Sequence, residues 1–333
     1  MKLLAKLPFC SRKYVEALKL LYRAPKSFFL IKRPQIIATK TLVISFPRSG
    51  SSWVGAILGS DNESLYLREP VTTSYMLDKA NRVSVFELGK CQDAPAYQKY
   101  ITHALKGKAR RANAIFKYPK QTLQNKRSVN LVIKEVNPLT VNLYNPFVDN
   151  TIYLVRHPYA VALSYQALNW QSQSLFEQRF EKAHMSQILA CHPNLQQCCF
   201  WQQMGYLLGW IEAHTKHALT NRHLVTRYED ICAAPEEQFD ALCNFSSLAF
   251  STMLKARLIR SISGKKAVEK GNFSLQRNIS DVANIKIAYS DKSKHDKLIN
   301  AYLLAGEHFN QLHQTAVSLS YQQESAFIKW IDD

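Results

Sequence analysis

Short apolar, β-branched runs alternate along the chain with longer stretches in which apolar residues recur every three or four positions. The runs "TLVISF" (Thr41 to Phe46), "LVIKEV" (Leu131 to Val136), "TIYLVR" (Thr151 to Arg156) and "HLVTRY" (His223 to Tyr228) read as strands, and "SLYL" (Ser64 to Leu67) is a weaker fifth. Runs of this length without strict alternation suit strands buried on both faces. Helical spacing follows Gly50 and Pro158, covers Ala96 to Ala112 and Gln196 to Leu219, follows Pro235, and runs from His295 to His313. Strand–helix alternation predicts an α/β fold, a central parallel sheet flanked by helices. Ligands of such sheets sit at the carboxyl ends of the strands. Arg48, Glu69, Lys134 or Glu135, Arg156 and the stretch from Arg227 to Asp230 therefore fall near one rim.

Two strand ends carry polar turns that lead into helices. In "SFPRSGSSW" (Ser45 to Trp53), Gly50 permits a tight turn, the serines add hydroxyls and Arg48 adds a planar cationic fork. A turn of this kind aims backbone N–H groups and a helix N-terminus at one spot, which suits an anion. It is not a Walker A loop, because Gly50 is followed by Ser51 and no Lys is present. Nucleoside triphosphate hydrolysis thereby loses its main support. "IYLVRHPYAVALSYQ" (Ile152 to Gln166) repeats the logic, with Arg156 at a strand end and Pro158 suited to a first helical turn. Ser164 lies eight residues beyond Arg156, about two helical turns on. These two could clamp a second phosphate; equally, Arg156 could pair with a carboxylate and Ser164 could be a packing residue.

Composition narrows the partners. The 333 residues carry a net charge of +18, and residues 1–40 hold ten Lys and Arg against Glu16, or +9. A basic chain favours nucleotides, nucleic acid, anionic lipid or acidic glycan. No recognisable nucleic-acid-binding motif is present, and the positive charge is concentrated at the front. No stretch reaches the roughly 18 apolar residues of a membrane span, and Lys6 interrupts any signal-like run. Residues 1–35 form a basic amphipathic segment with Tyr14, Leu18, Leu21 and Tyr22 on one helical face, followed by "SFFLI". That segment is either a peripheral contact for an anionic membrane or a helix packed on the domain of residues 36–333. Seven Cys, an odd number, fit reduced thiols in a cytoplasm. "CHPNLQQCC" (Cys191 to Cys199) matches no common zinc spacing and reads as buried thiols at helix ends.

The motifs together resemble a known family. "FPRSGSSWVGAIL" resembles the 5′-phosphosulfate loop of sulfotransferases that use 3′-phosphoadenosine 5′-phosphosulfate, and "SGSSWVG" is worded like that of carbohydrate sulfotransferases. "YLVRHPYAVALSY" resembles the family's 3′-phosphate segment, including the Arg-to-Ser spacing of eight. "YLREP" (Tyr66 to Pro70) resembles the Glu-Pro segment of glycan-modifying members, and "RYEDICAAPEEQF" (Arg227 to Phe239) a Tyr-Glu-Asp segment before the C-terminal helices. Order and separation agree over residues 40–250. The chain departs from cytosolic members in having Arg48 where they usually have Lys, and in having His157-Pro158 where Asp-Pro or Asn-Pro is frequent. The Trp often found near the end of the fold is not evident around Ala288 to Ser290.

The resemblance implies a P-loop NTPase-like sulfotransferase fold and an enzyme that moves a sulfuryl group from that donor to a hydroxyl, most naturally on a glycan or glycolipid. It implies no required metal. Arg48, Ser49, Gly50, Ser51, Ser52 and Trp53 would hold the 5′ side of the donor, Arg156 and Ser164 the 3′-phosphate. Glu269 to Asn278, with Arg277, is the candidate adenine cover. Glu69, which matches the carboxylate of glycan-modifying members, is the candidate general base, with Glu135 and His157 as alternatives. A nucleotide kinase or phosphatase, and a non-catalytic basic nucleotide- or nucleic-acid-binding protein, are the competing readings.

Overall fold

A computed structural model of the chain describes residues 36–61, 63–72, 95–107, 128–170, 176, 180, 182–220, 222–263 and 291–321. The elements run β1 (Ile36–Ser45), α1 (Ser51–Leu58), β2 (Ser64–Arg68), α2 (Pro95–Leu105), β3 (Ser128–Glu135), α3 (Val141–Tyr144), β4 (Asn150–Val155) and α4 (Pro158–Gln166). They continue with α5 (Lys182–Cys191), α6 (Phe200–Ala218), β5 (His223–Arg227), α7 (Tyr228–Ala233), α8 (Pro235–Phe245), α9 (Thr252–Ser263) and α10 (Lys292–His313). The five strands form one sheet in the order β2-β3-β1-β4-β5, and every pairing is parallel. The α/β expectation and all five anticipated strands hold.

Side chains leave alternate faces of each strand, so each strand feeds two cores. Val43, Val132, Ile152 and Leu154 pack with Val54, Ile57, Leu58, Phe239, Leu242 and Leu258 from α1, α8 and α9. Leu42, Ile44, Ile133, Tyr153 and Val155 pack on the other face with Val161, Tyr165, Leu207 and Tyr302 from α4, α6 and α10. Burial on both sides is why these strands read as apolar runs. Residues 36–40 of β1 are only partly buried. Their mixed sequence "IIATK" hid the first half of the strand, and the register with β3 shifts between Ile37 and Thr39.

Several boundaries move. α6 starts at Phe200, where Cys199 is the N-cap and Gln202 accepts from the Cys199 N–H in a capping box. Cys191 closes α5, so the cysteines do sit at helix ends, but Cys199 is exposed and Cys191 and Cys198 are only half-buried. α2 ends at Leu105, short of the anticipated Ala112. α6 and α10 lie backbone to backbone: a Cβ on Gly205 would stand 2.1 Å from the Leu298 carbonyl oxygen, and one on Gly209 2.1 Å from that of Tyr302.

β1 and β4 are neighbours, yet α1 turns to one face of the sheet and α4 to the other. The ends of β1 and β4 thus border a topological switch point, the place where open parallel sheets bind ligands.

Candidate active site

The two polar turns meet at this switch point. β1 ends in Ser45, whose hydroxyl donates to Ser51 Oγ at 2.7 Å, both groups being buried. The chain then reverses through Arg48 at φ 73° and Gly50 at φ 88°. A Cβ on Gly50 would collide with the Tyr228 ring, 2.3 Å from Cε2, so this position requires glycine for space as well as for conformation. The Gly50 carbonyl takes the N–H groups of Trp53 (2.9 Å) and Val54 (3.3 Å), which starts α1. The N–H groups of Ser51 and Ser52 lie ahead of those bonds, at the positive end of the helix.

The turn after β4 locks onto this loop. Arg48 Nε donates to Ser164 Oγ at 2.8 Å, and Arg156 Nη1 donates to the Arg48 carbonyl at 3.0 Å. The Arg156 guanidinium lies 4.9 Å above the Tyr228 ring. Arg156 Nε is buried and has no acceptor among the described residues. Two cations, three serine hydroxyls and a helix start are gathered in one place, with a buried donor left to satisfy. Trp53, also in the first loop, is buried: its ring meets Tyr228 and Phe239 edge-on, and its Nε1 donates to Ser261 Oγ at 2.9 Å.

The carboxylates lie on the β2–β3 side. Glu69, at φ 49°, follows β2, and its N–H donates to the Lys134 carbonyl at 2.6 Å. Lys134 Nζ donates to Glu69 Oε1 at 2.5 Å, and Arg68 Nε lies 3.7 Å from the same oxygen. Burial pushes the Lys134 ammonium below its usual range, opposed chiefly by the Glu69 charge. The Glu69 side chain is 23% exposed and that of Lys134 only 2%, so the carboxylate is the member of the pair that faces outward. Glu135 is buried, and its two oxygens accept from the N–H groups of Val71 (2.8 Å) and Thr72 (3.3 Å). Burial pushes its carboxyl up to about 7.

His157 is 2% exposed. Its ring stacks parallel on His295 at 5.7 Å and meets Tyr321 edge-on at 5.0 Å. Burial, with help from His295 and Arg156, holds the imidazole well below its usual range, so it is neutral. The backbone N–H of His157 donates to Glu229 Oε1 at 3.1 Å. Arg227, at the end of β5, is engaged with Asp230 through two bonds of 2.9 Å. Arg277 and the rest of Glu269 to Asn278 lie outside the described residues. Among the described residues no three His, Cys, Asp or Glu side chains gather to hold a metal ion.

The sequence pattern places Arg48, Glu69 and Arg156 at one rim and pairs Ser164 with Arg156, but it does not show that Arg48 is the residue that touches Ser164. It gave no role to Lys134, Tyr228 or Glu229. Lys134 is signalled only by a Lys inside an otherwise apolar buried strand, and the other two by the Tyr-Glu-Asp wording.

A family model described as a sulfotransferase domain matches residues 38–295. No curated protein matches the chain. Among solved structures, the sulfotransferase domain from the curacin biosynthetic pathway is similar at 17% identity and TM-score 0.43, covering 86% of this chain and 99% of that one. The sulfotransferase domain of the Synechococcus PCC 7002 olefin synthase gives 15% and 0.41, covering 85% and 97%. Mouse sulfotransferase SULT7A1, crystallised with PAP, gives 13% and 0.37, covering 90% and 94%.

Proposed function

The chain belongs to the sulfotransferase-domain family, and on that premise we propose that it transfers a sulfuryl group from 3′-phosphoadenosine 5′-phosphosulfate to a hydroxyl of a glycan or glycolipid. The observation that carries the donor assignment is the Arg48–Ser164 bond with Arg156 on the Arg48 carbonyl. It joins two anion-binding turns at the sheet's switch point, where a nucleotide with phosphates at both ends of its ribose finds a cation for each. The buried Arg156 Nε supplies a donor that such a phosphate satisfies. The donor, when bound, supplies the activated sulfuryl group.

The residues divide the remaining work. Arg48 and the N–H groups at the start of α1 hold the 5′-phosphate and place positive charge where the leaving oxygen becomes negative. Ser49, Ser51 and Ser52 line the same loop. Arg156 and Ser164 hold the 3′-phosphate, and Tyr228 keeps Arg156 and the Gly50 loop at a fixed separation. Glu69 takes the acceptor hydroxyl proton. Lys134 holds that carboxylate fixed in direction, a preorganised arrangement that leaves little to rearrange as the proton moves. The glycan assignment rests on the wording of "SGSSWVG" and "YLREP" and on the outward-facing Glu69. Incubation with labelled donor and a panel of glycans, glycolipids, steroids and phenols tests it. Label is expected in a carbohydrate product; label only in a steroid or phenol overturns the acceptor class.

Residues 36–333 are read as one catalytic domain, and residues 1–35 as a peripheral contact with an anionic membrane on the cytoplasmic side. Among the described residues no helix is long and apolar enough to cross a membrane. Each basic residue at an anionic surface is worth about 1 kcal/mol, and the first 40 residues carry +9. The full chain is expected to sediment with phosphatidylserine vesicles at low salt and to be released at high salt. A chain lacking residues 1–35 should stay in the supernatant and remain active on a soluble acceptor. Failure of the full chain to sediment at low salt removes the membrane role.

A further inference from the structure

The family match ends at residue 295, but the ordered chain does not. After α10, Gln314 turns the backbone at φ 51°, and residues 315–321 run back as an irregular strap. Asn310 grips it at both sides of Val317: its Nδ2 donates to the Val317 carbonyl and its Oδ1 accepts the Val317 N–H, each at 2.9 Å. Leu319 fills the space over Gly306. Lys216 Nζ donates to the Ser318 carbonyl at 2.8 Å, and Glu212 accepts the Ser320 N–H at 2.7 Å. These contacts deliver Tyr321 beneath the turn that follows β4. There its hydroxyl donates to Glu229 Oε2 at 2.5 Å, while Glu229 Oε1 accepts the His157 N–H.

Glu229 is a buried carboxylate next to Tyr228 and one peptide away, through His157, from Arg156. The groups that act on it are the Arg156 guanidinium, the His157 backbone N–H, the Tyr321 hydroxyl and Arg227 at the end of β5. Without the Tyr321 donor, one of its oxygens loses a charge-assisted bond in a dry setting, where such a loss is costly. We propose that Tyr321 is a positioning residue for the donor's 3′-phosphate, acting through Glu229 on the Arg156–His157 turn. The strap thereby makes part of the nucleotide site depend on residues beyond the family domain.

This inference rests on the reading of Arg156 as the 3′-phosphate ligand, so the test includes a control for that reading. Binding of adenosine 3′,5′-bisphosphate and adenosine 5′-monophosphate is measured by calorimetry for the parent, Arg156→Ala and Tyr321→Phe. Tyr321→Phe should weaken the bisphosphate about tenfold and leave the monophosphate unchanged. Donor KM should rise with kcat held. Glu229→Gln should give the same split, which serves if Tyr321→Phe does not fold. Hydrogen exchange of the peptide containing His157 should accelerate in the unliganded Tyr321→Phe protein. If Arg156→Ala removes the preference for the bisphosphate while Tyr321→Phe and Glu229→Gln retain it, the strap has no part in the site and the inference is overturned. If Arg156→Ala also retains it, the 3′-phosphate assignment fails and takes the inference with it. A fall in melting temperature with equal losses for both ligands assigns the strap to stability alone and likewise overturns it.

Discussion

Glu69→Gln should lower turnover by roughly 10²–10⁴ while leaving affinity for adenosine 3′,5′-bisphosphate unchanged. The substitution keeps the size of the side chain and an oxygen for the Lys134 Nζ–H to meet. It removes the ability to accept the hydroxyl proton, together with the negative charge that faces the buried Lys134 ammonium. Glu69 follows β2, two strands over from β1, and its bond to Lys134 is separate from the bonds that join Arg48, Arg156 and Ser164. Steady-state kcat and calorimetry on the same preparation separate the two effects. Turnover within a few-fold of the parent would place the proton acceptor elsewhere. Among the alternatives, Glu135 already has both oxygens engaged by backbone N–H groups, and His157 is closed off between His295 and Tyr321.

Arg48→Ala is expected to have the next largest effect, a fall in donor affinity of about 10- to 100-fold, corresponding to the ~1.5–3 kcal/mol of a charge-assisted hydrogen bond. Turnover should fall with it, because the same guanidinium meets the charge that grows on the leaving phosphate. Arg48 also ties the first loop to Ser164. Ser164→Ala breaks that tie but keeps the cation, so it should cost less than Arg48→Ala. Arg48→Lys should recover part of the affinity, since an ammonium restores the charge but not the planar fork. A folded Arg48→Ala protein with parental donor affinity and rate would remove Arg48 from the site.

The sheet was legible because burial on both faces writes itself as apolar, β-branched runs, most plainly in "LVIS", "LVI" and "IYLV". The turns were legible because Gly50 and Pro158 punctuate them. The pairings inside the site were not, since each joins residues far apart in the chain. Arg48 and Ser164 are 116 positions apart, and Glu69 and Lys134 are 65 apart. The two turns were assigned to two separate phosphates, with no sign that Arg48 reaches Ser164 directly. Lys134 could be placed at the rim from its strand, but no local pattern says that a buried lysine will find Glu69. The strap's alternation of Val317, Leu319 and Tyr321 with Ser318 and Ser320 is strand-like, but no strand forms there: it is held by side chains of α6 and α10 rather than by backbone pairing.

The glycine contact between α6 and α10 bears on where this molecule can be divided. Gly205 and Gly209 leave a groove so shallow that the carbonyls of Leu298 and Tyr302 rest in it. Only one alignment of the two helices places both carbonyls over both glycines. α10 carries His295 at its start and hands on to Tyr321 after its end, so sliding it by a residue would displace both ends of the histidine–tyrosine packing around His157. A fragment cut at residue 295 would lay open that groove and the apolar wall of Leu207, Leu208 and Ile211 beside it. A fragment without α10 has nothing to fill that slot, neither in itself nor from a second copy, and its bared apolar wall would favour aggregation. The excisable unit of this enzyme therefore extends to the strap.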